Sequence, residues 1–460
     1  MTKTMTAIAM ALFAGTAYGA VAPHNHISTP AEEKALDEAF AWSAPEEQPD
    51  GATPRFVLRS RDGKFILGAG AKIKAVAMFD FGAPIDNSND FDPSSIPSAV
   101  EPGEGARWQF SAQSSALWLN AVAFPDSKNR VGAYINVNFH GDDYMLQIQY
   151  AYLKWRSLTA GYGYSLFADV PAAPATVDYE GPNSFTGVQG AVFNLEMPLG
   201  RNGRWTLGAG INSSMASIAP TEMTKQVSQR LPDIPAYIQY NHPFDGHLRL
   251  SAILRNLYYR DLRAGRNLDM AGWGVKLSGM ASAGPCNFYM QVLGGRGITS
   301  YYQDLIGDGL DLAIAADDSR RSLTASWGGY VGVDYAFAPR WCVLATASTV
   351  HLYPGDGYRL PDVEGAYRHA EYLSGTLTYS ITGQLSAQLE YLYGIRHNPG
   401  GTTRHDTRTA RRPDCVTEIR MGNSVLVVSG YFKKDTTTTA ADKMARVLEA
   451  EAAATQKPAI

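Results

Sequence analysis

Apolar and polar residues alternate along most of the chain. In residues 130–140, apolar side chains occupy the odd positions from Val131 to Phe139, while polar side chains such as Asn136 and Asn138 occupy the even positions. A period of two is that of a β-strand, in which successive side chains point to opposite faces. This segment is therefore predicted to be a strand with one oily face and one wettable face.

The same alternation predicts about sixteen strands in all. They are 72–81, 107–120, 130–140, 145–155, 158–166, 188–197, 205–211, 234–240, 247–258, 271–281, 287–293, 327–337, 341–351, 372–381, 385–393 and 423–432. The chain is accordingly predicted to be all-β. Period two alone does not distinguish a soluble sandwich, with the apolar face inside, from a membrane barrel, with the apolar face outside.

Three features favour a transmembrane antiparallel β-barrel. Many of the predicted strands have about ten residues, the length that a tilted strand needs to cross a bilayer. Short and long connections alternate along the chain, as periplasmic turns and extracellular loops do. Aromatic residues lie at strand ends, where an interfacial girdle is expected, namely Phe79, Phe81, Trp108, Trp118, Tyr150, Tyr152, Tyr162, Tyr164, Tyr391 and Tyr393.

Composition supports a barrel and argues against several other classes. Charged residues are 18% of the chain against a usual value of about 25%, and aromatic residues reach 11%. After the first residues no apolar run approaches the roughly 18 that a membrane-spanning helix needs, which excludes a helical membrane protein. The net charge is -4, of which residues 31–50 contribute -6, so the remainder is only slightly basic and gives no support for a nucleic-acid partner.

The N-terminal part is predicted to consist of two segments before the barrel. Residues 1–20 have the early Lys3, an apolar stretch and a small-residue end, which is the order of a secretory signal peptide. Residues 21–62 are predicted to be a periplasmic leader with one short helix at 31–42. The barrel is predicted to occupy residues 63–432, followed by a C-terminal tail, 433–460.

Neither a metal site nor a cofactor is predicted. The three cysteines, Cys286, Cys342 and Cys415, are widely separated and lack metal-ligand spacing. His24 and His26 form a pair whose spacing is more typical of adventitious metal binding. An enzyme is not expected either, because the histidines show no motif spacing to a nucleophile such as Ser165.

One stretch of the sequence carries a family resemblance. Tyr-Leu-Lys-Trp at 152–155, Tyr-Gly-Tyr-Ser-Leu-Phe-Ala-Asp at 162–169 and Thr-Val-Asp-Tyr-Glu-Gly-Pro-Asn at 176–183 resemble the trimeric outer-membrane porins of the DcaP-like group, which are related to the phosphate-selective porins. The Glu-Tyr-Leu-Tyr-Gly sequence at 390–394 extends this similarity. The resemblance implies sixteen strands per subunit, a homotrimer and a third loop folded into the pore.

The end of the chain departs from this family pattern. Such porins finish on a terminal strand with a last aromatic residue, whereas here Tyr431 and Phe432 are followed by 28 residues rich in Thr and Ala. Residues 397–422 also differ from a family loop and strand. The position of the closing strand is therefore the part of the barrel that the sequence defines least.

Candidate pore-lining residues follow from strand parity. If Ile73, Val131 and Leu250 face lipid, cationic side chains on the opposite parity face the lumen, since a cation at mid-depth on the lipid face would cost about 2–4 kcal/mol. The third loop, which the resemblance folds into the pore, adds carboxylates opposite that wall. The predicted set is Lys72, Lys74, Arg107, Arg130, Arg249, Arg255 and Lys276 on the wall, with Asp169, Asp178 and Glu180 in the loop.

These residues predict a passive diffusion channel for small hydrophilic solutes in the outer membrane of a Gram-negative-type bacterium. Lumenal cations would concentrate anions such as phosphate or a dicarboxylate. In a simpler alternative, Asp178 and Glu180 only hold the loop to the wall, and Arg249 and Arg255 only pair with lumenal carboxylates. The rival function is a receptor, adhesin or structural barrel without an open channel. Expected partners are outer-membrane lipid and small, mainly anionic solutes.

Overall fold

The structure, a computed structural model, describes residues 30–45, 56–81, 85, 87, 89–97, 107–200, 202–242, 246–382, 385–401, 403–410, 415–421 and 424–430. The chain divides into two compact units, Met1–Ala410 and Arg411–Ile460. The predicted signal peptide, the His24 and His26 pair and the predicted tail 433–460 lie outside the described residues. Their limits stay predictions.

The described residues form one α-helix, α1 (Pro30–Ser43), short 3-10 turns and 25 strands. The strands are β1 (Phe56–Arg59), β2 (Phe65–Lys72), β3 (Val76–Asp80), β4 (Arg107–Ser111), β5 (Ala116–Ala123), β6 (Val131–Asn138), β7 (Gln147–Trp155), β8 (Leu158–Tyr164), β9 (Gln189–Leu199), β10 (Trp205–Asn212), β11 (Thr224–Gln226), β12 (Ile234–Asn241), β13 (Gly246–Asp261), β14 (Arg266–Ala283), β15 (Cys286–Arg296), β16 (Leu312–Ala315), β17 (Arg321–Leu323), β18 (Ala325–Ala338), β19 (Trp341–Tyr353), β20 (Tyr358–Arg359), β21 (His369–Thr382), β22 (Leu385–His397), β23 (Thr403–Ala410), β24 (Cys415–Met421) and β25 (Ser424–Gly430).

The large sheet closes on itself through sixteen strand positions. β2 and β3 are two parts of the first position, and β5 and β4 pair with them as the second. The circuit continues antiparallel through β6–β10, β12–β15, β18, β19 and β21–β23. β23 then pairs with β3, Arg408 opposite Asp80, and closes the barrel. The predicted count of about sixteen strands is confirmed.

The long connections all lie at one end of this barrel. The loops that join the strands at one end are L1 (81–106), L2 (139–146), L3 (165–188), L4 (213–233), L5 (262–265), L6 (297–324), L7 (354–368) and L8 (398–402). The connections at the other end have two to seven residues each. This asymmetry is the one expected between the extracellular and periplasmic ends of a membrane barrel.

The closing strand differs from the sequence prediction. The sixteenth position is β23, in a region whose sequence departs from the family pattern, and not the segment 423–432. The strand found in that segment, β25, pairs with β24 as a two-stranded sheet of the second unit. The circuit of paired barrel strands therefore ends at Ala410, earlier than the predicted limit at residue 432.

Strand parity separates a lipid-type face from a lumenal face. On β13, Leu250 and Leu254 are 50% and 62% exposed on the outside of the barrel, while Arg249 and Arg255, which flank them in sequence, are buried inside. Closure is what permits an apolar exterior, because every backbone N–H and C=O must be paired where lipid offers no partner. The alternation read from the sequence is thus the alternation of outside and inside.

The predicted aromatic girdle is only partly on the outside. Trp108 and Tyr391 are exposed on the outer face. Trp118, Tyr150 and Tyr152 face the lumen instead, where Tyr150 and Tyr152 form a buried aromatic cluster. Their positions on β5 and β7 share the inward parity of their neighbours, and a strand end fixes depth but not direction.

The leader helix α1 lies against the inner wall of the barrel. Ala39 and Phe40 are buried against the lumenal side chains Ile66 and Val122. The hydroxyl of Tyr152 donates a hydrogen bond to the carbonyl of Ser43 at 2.9 Å. The predicted helix is confirmed, but it lies within the lumen at the short-turn end rather than before the barrel. In the described part of the chain, no helix is both long and apolar enough to cross a membrane.

Gly132 makes room for this helix, and replacing it is expected to displace α1. A Cβ at Gly132 would lie 2.6 Å from the Cβ of Ser43. Overpacking of this kind costs about 1–3 kcal/mol, which would raise the population of undocked helix about 5- to 150-fold. We expect Gly132→Ala to increase chymotrypsin cleavage after Phe40 and Trp42, followed by mass spectrometry. Gly375→Ala, where a Cβ meets nothing within 4 Å, is the control. Equal cleavage rates in both variants would contradict this contact.

Candidate pore constriction

Loop L3 folds into the lumen and crosses to the far wall of the barrel. It leaves the end of β8, and its backbone then contacts side chains of β13, β18 and β22 in turn. The carbonyl of Ala168 accepts from Arg249 at 3.1 Å, and that of Ala172 accepts from the Tyr330 hydroxyl at 3.1 Å. The inward-folded third loop implied by the family resemblance is therefore confirmed.

The root of L3 is held by a buried charged network around Asp169. Its carboxylate is 3.0 Å from Nε2 of His247, accepts from the hydroxyl of Ser278 and lies 3.7 Å from Arg249 Nη1. Burial alone would raise the pKa of Asp169, but Arg249 and His247 lower it to well below its usual range. Asp169 is fully buried, so its charge fixes the loop and is not presented to solute.

Lys276 lies under the same part of the loop. Its Nζ donates to the hydroxyl of Thr186 at 2.9 Å and lies 5.3 Å from the centre of the Phe167 ring. The residue is completely buried. Parity placed Lys276 correctly on the lumenal face, yet L3 covers it, so the side chain contacts the loop rather than an open bore.

The far end of L3 is held by two carboxylates. Asp178 accepts from the backbone N–H of Phe91 at 2.8 Å, linking L3 to L1, and from the hydroxyl of Tyr372 at 3.1 Å, linking L3 to the wall. Asp178 therefore lies where it holds the loop to the wall. This is the simpler alternative given above, in place of a carboxylate that faces the pore.

Glu390 is the second anchor, and it was not among the predicted site residues. Its two carboxylate oxygens accept from the backbone N–H groups of Val177 and Asp178 at 2.9 and 2.8 Å. The hydroxyl of Thr376 also donates to it. Glu390 is 1% exposed. Its inward parity on β22 was visible in the sequence, but its loop partners lie more than 200 residues away.

Arg255 joins two further loops to the wall. It donates to Asp233 of L4 at 3.1 Å and to both oxygens of Asp311 of L6 at 3.2 Å. A further bond reaches the carbonyl of Gly297 at 2.6 Å, and all three charged side chains are fully buried. Arg255 thus stabilises the arrangement of L4 and L6, and the two aspartates are further residues that sequence reasoning missed.

Two of the cations that remain accessible lie on the first strand position. Lys72 is exposed on the lumenal parity, and Lys74 is half-buried. The Nζ of Lys74 donates to the carbonyl of Val177 at 2.5 Å, so this side chain reaches the end of L3. Together they place positive charge between L3 and the wall formed by β2 and β3.

Arg107 and Arg130 also face inward and are half-buried. Arg107 donates to the carbonyl of Ile85 in L1 at 3.2 Å. The guanidinium of Arg130 lies 4.2 Å from the centre of the Trp42 ring at the end of α1. Arg130 therefore contacts the leader helix at the short-turn end, away from the L3 constriction.

Glu180 lies in L3 beside carboxylates of two other loops. One of its carboxylate oxygens, one of Asp92 in L1 and one of Asp304 in L6 lie within 4.8 Å of one another. Burial, with the negative charges of neighbouring aspartates, raises the pKa of Glu180 well above its usual value. The structure thus brings Glu180 to an acidic cluster rather than opposite a row of cations.

The predicted set therefore separates into two groups. Arg249, Arg255, Lys276, Asp169 and Asp178 face inward as predicted, but loops cover them and their charges are used in buried pairs and hydrogen bonds. Lys72, Lys74, Arg107, Arg130 and Glu180 are exposed or half-buried. Only this second group can act directly on a solute, because a fully buried charge has no contact with the aqueous path.

No family model matches the chain, and no curated protein matches its sequence. Among solved structures, the outer membrane channel DcaP of Acinetobacter baumannii aligns with a TM-score of 0.63 at 19% identity, covering 76% of this chain and 97% of that one. The anion-selective porin from Comamonas acidovorans gives 0.48 at 10% identity, covering 75% and 97%. Outer-membrane expressed OmpT of Vibrio cholerae gives 0.48 at 8% identity, covering 77% and 98%.

The likeness to DcaP shows a shared fold. It agrees with the resemblance read from residues 152–183. The fold is thus a β-barrel of the outer-membrane type with an inward third loop.

Proposed function

We propose that this protein is an outer-membrane porin, a passive diffusion channel for small hydrophilic solutes. The observation that supports this proposal best is L3, which enters a closed barrel and is bound to the far wall by Glu390 at 2.8 and 2.9 Å. A loop held across the lumen narrows the aqueous path at a defined depth, and width and charge at that depth set selectivity.

The apolar exterior supports a location in the outer membrane of a Gram-negative-type bacterium. Outward side chains such as Leu254 and Val331 are about 60% exposed without membrane lipid. A homotrimer is part of the proposal and rests on the family resemblance. Crosslinking or native mass spectrometry of the detergent-solubilised protein tests it.

An anion preference is proposed from the accessible cations Lys72, Lys74 and Arg107. The buried cations add little to the field in the path, since Asp169, Asp233 and Asp311 offset them at close range. Phosphate or a dicarboxylate would suit two lysines beside a hydrogen-bonding loop. The proposed preference thus depends on cations of the first two strand positions, not on the arginines of β13.

Single-channel recording in planar bilayers tests the channel proposal. Steady ohmic steps are the result expected of a porin, and a salt gradient then gives the ratio of chloride to potassium permeability. A purified trimer that inserts but passes no current would overturn the proposal in favour of a receptor, adhesin or structural barrel.

Reversing the charge of Lys72 is expected to reduce the anion preference. A unit charge is worth about 1 kcal/mol at 4 Å in water, so Lys72→Glu should lower the chloride to potassium permeability ratio about two- to five-fold. The reversal potential in a tenfold potassium chloride gradient measures this ratio. Lys128→Glu, an exposed lysine in a short turn outside the bore, should leave it unchanged. A permeability ratio unaltered by Lys72→Glu would remove Lys72 from the selectivity site.

A further inference from the structure

Three loops that are distant in sequence bring carboxylates together beside the L3 constriction. Asp92 comes from L1, Glu180 from L3 and Asp304 from L6, and their oxygens lie within 4.8 Å of one another. Two ligand oxygens on opposite sides of one calcium ion, each at about 2.4 Å, are separated by roughly the same distance. The spacing is therefore that of atoms arranged around a single cation.

The protein groups around this cluster offset its negative charge only in part. In the part of the chain that the structure describes, no Lys or Arg forms an ion pair with any of the three carboxylates. Arg396 lies close by, but its guanidinium donates to backbone carbonyls, including those of Ser94 and Ile96. Arg396 therefore acts on Asp92 and Asp308 only through its charge, without an ion pair to any of the three carboxylates.

One oxygen of the cluster is buried without a partner. Asp304 is 3% exposed, and its Oδ1 accepts from the N–H of Ser94 at 3.1 Å. Its Oδ2 has no hydrogen-bond partner among the described residues. A buried carboxylate oxygen left in this state costs free energy, and buried charges are normally paired or coordinate metals.

The surroundings contain further polar atoms that lack partners. Tyr367 is fully buried, and its hydroxyl has no hydrogen-bond partner among the described residues. The same is true of Asp308 Oδ2, for which Gly365 makes room, since a Cβ there would overlap this oxygen.

We propose that Asp92, Glu180 and Asp304 bind one hard divalent cation, calcium by preference, which fastens L1, L3 and L6 to one another. All three ligands are oxygens, the ligand type of calcium and magnesium. Calcium is favoured because loop-borne carboxylates suit its flexible coordination of six to eight oxygens, whereas magnesium demands near-ideal octahedral geometry. The site goes beyond the proposed channel function and would exist equally in a barrel without an open channel.

Calorimetric titration of calcium chloride into the full chain tests this site. The protein is purified in detergent, freed of lipopolysaccharide and then depleted of metal with EDTA. One calcium per chain is expected, with a dissociation constant roughly between 10⁻⁷ and 10⁻³ M. Asp304→Asn, which keeps an oxygen for the Ser94 N–H, and Glu180→Gln should each weaken binding at least about tenfold. Asp317→Asn, an exposed acid of the same loop, is the matched control and should bind like the wild type.

The outcomes separate this inference from the channel proposal. Loss of binding in Asp304→Asn and Glu180→Gln but not in Asp317→Asn supports the site. If Asp304→Asn does not fold, Glu180→Gln decides the question, because Glu180 is only half-buried. No saturable calcium binding, or equal binding in all variants, overturns the site. A barrel that binds calcium but passes no current would overturn the channel and leave the cation site in place.

Discussion

Replacing Glu390 by alanine is expected to raise the single-channel conductance and to make the open current fluctuate. Glu390 accepts two backbone hydrogen bonds from L3, at Val177 and Asp178. Hydrogen bonds to a charged group contribute about 1.5–3 kcal/mol each, so the variant loses about 3–6 kcal/mol of loop anchoring. Because Asp178 still holds L3 to Tyr372, we expect the loop to sample open positions rather than to leave the lumen.

Planar-bilayer recording of purified protein measures this effect. Glu371→Ala is the matched control, since Glu371 lies on the neighbouring strand β21 with outward parity. Glu390→Gln, which keeps one acceptor oxygen, should give an intermediate conductance. Unchanged conductance and noise in Glu390→Ala would show that L3 does not need this anchor, or that L3 is not the constriction.

Arg255→Gln is expected to destabilise the folded barrel strongly and to leave ion selectivity nearly unchanged. The substitution leaves Asp233 and Asp311 as buried carboxylates without their cation. Removing one partner of a buried pair typically costs about 3–5 kcal/mol, more than an exposed pair contributes. The loss of a buried charge from the wall does not change the charge that a solute meets.

Urea unfolding of the protein in detergent, followed by tryptophan fluorescence, measures this loss. Arg263→Gln removes the same charge from an exposed position in L5 and should keep the wild-type midpoint. Equal midpoints for Arg255→Gln and Arg263→Gln would contradict the anchoring role. A large change of reversal potential in Arg255→Gln, with unchanged stability, would instead restore Arg255 as a pore residue.

Much of the barrel could be predicted because its signal is local. The alternation around Leu250 assigns inside and outside within a few residues, and fifteen of the sixteen predicted strands correspond to barrel positions in the structure. The sixteenth prediction, 423–432, is wrong, because the barrel position belongs to β23. The sequence of β23, 403–410, has little apolar alternation that could have predicted it. Trp118 shows the related limit, since its place at a strand end did not reveal which way its side chain points.

The candidate site was predicted only as a set of inward-facing residues. Parity placed Arg249 and Lys276 on the lumenal face correctly, but it contained no information about the loop that covers them. The same reasoning treated Asp178 and Glu180 alike, although one anchors L3 and the other joins Asp92 and Asp304. Burial of each side chain depends on which distant loop packs over it.

The sequence by itself determined the strand period and the two faces of most strands, and the strand lengths with the alternation of short and long connections favoured a barrel. The period and the faces follow from residues two apart, and the cost of placing a charge in lipid enforces them one strand at a time. Only the tertiary structure decided which lumenal charges are accessible to solute and which are buried in contacts that hold L3, L4 and L6. It alone also decided that α1 lies within the lumen, against the inner wall. The physical reason is that these outcomes depend on contacts between residues such as Val177 and Glu390, 213 positions apart, which no local pattern encodes.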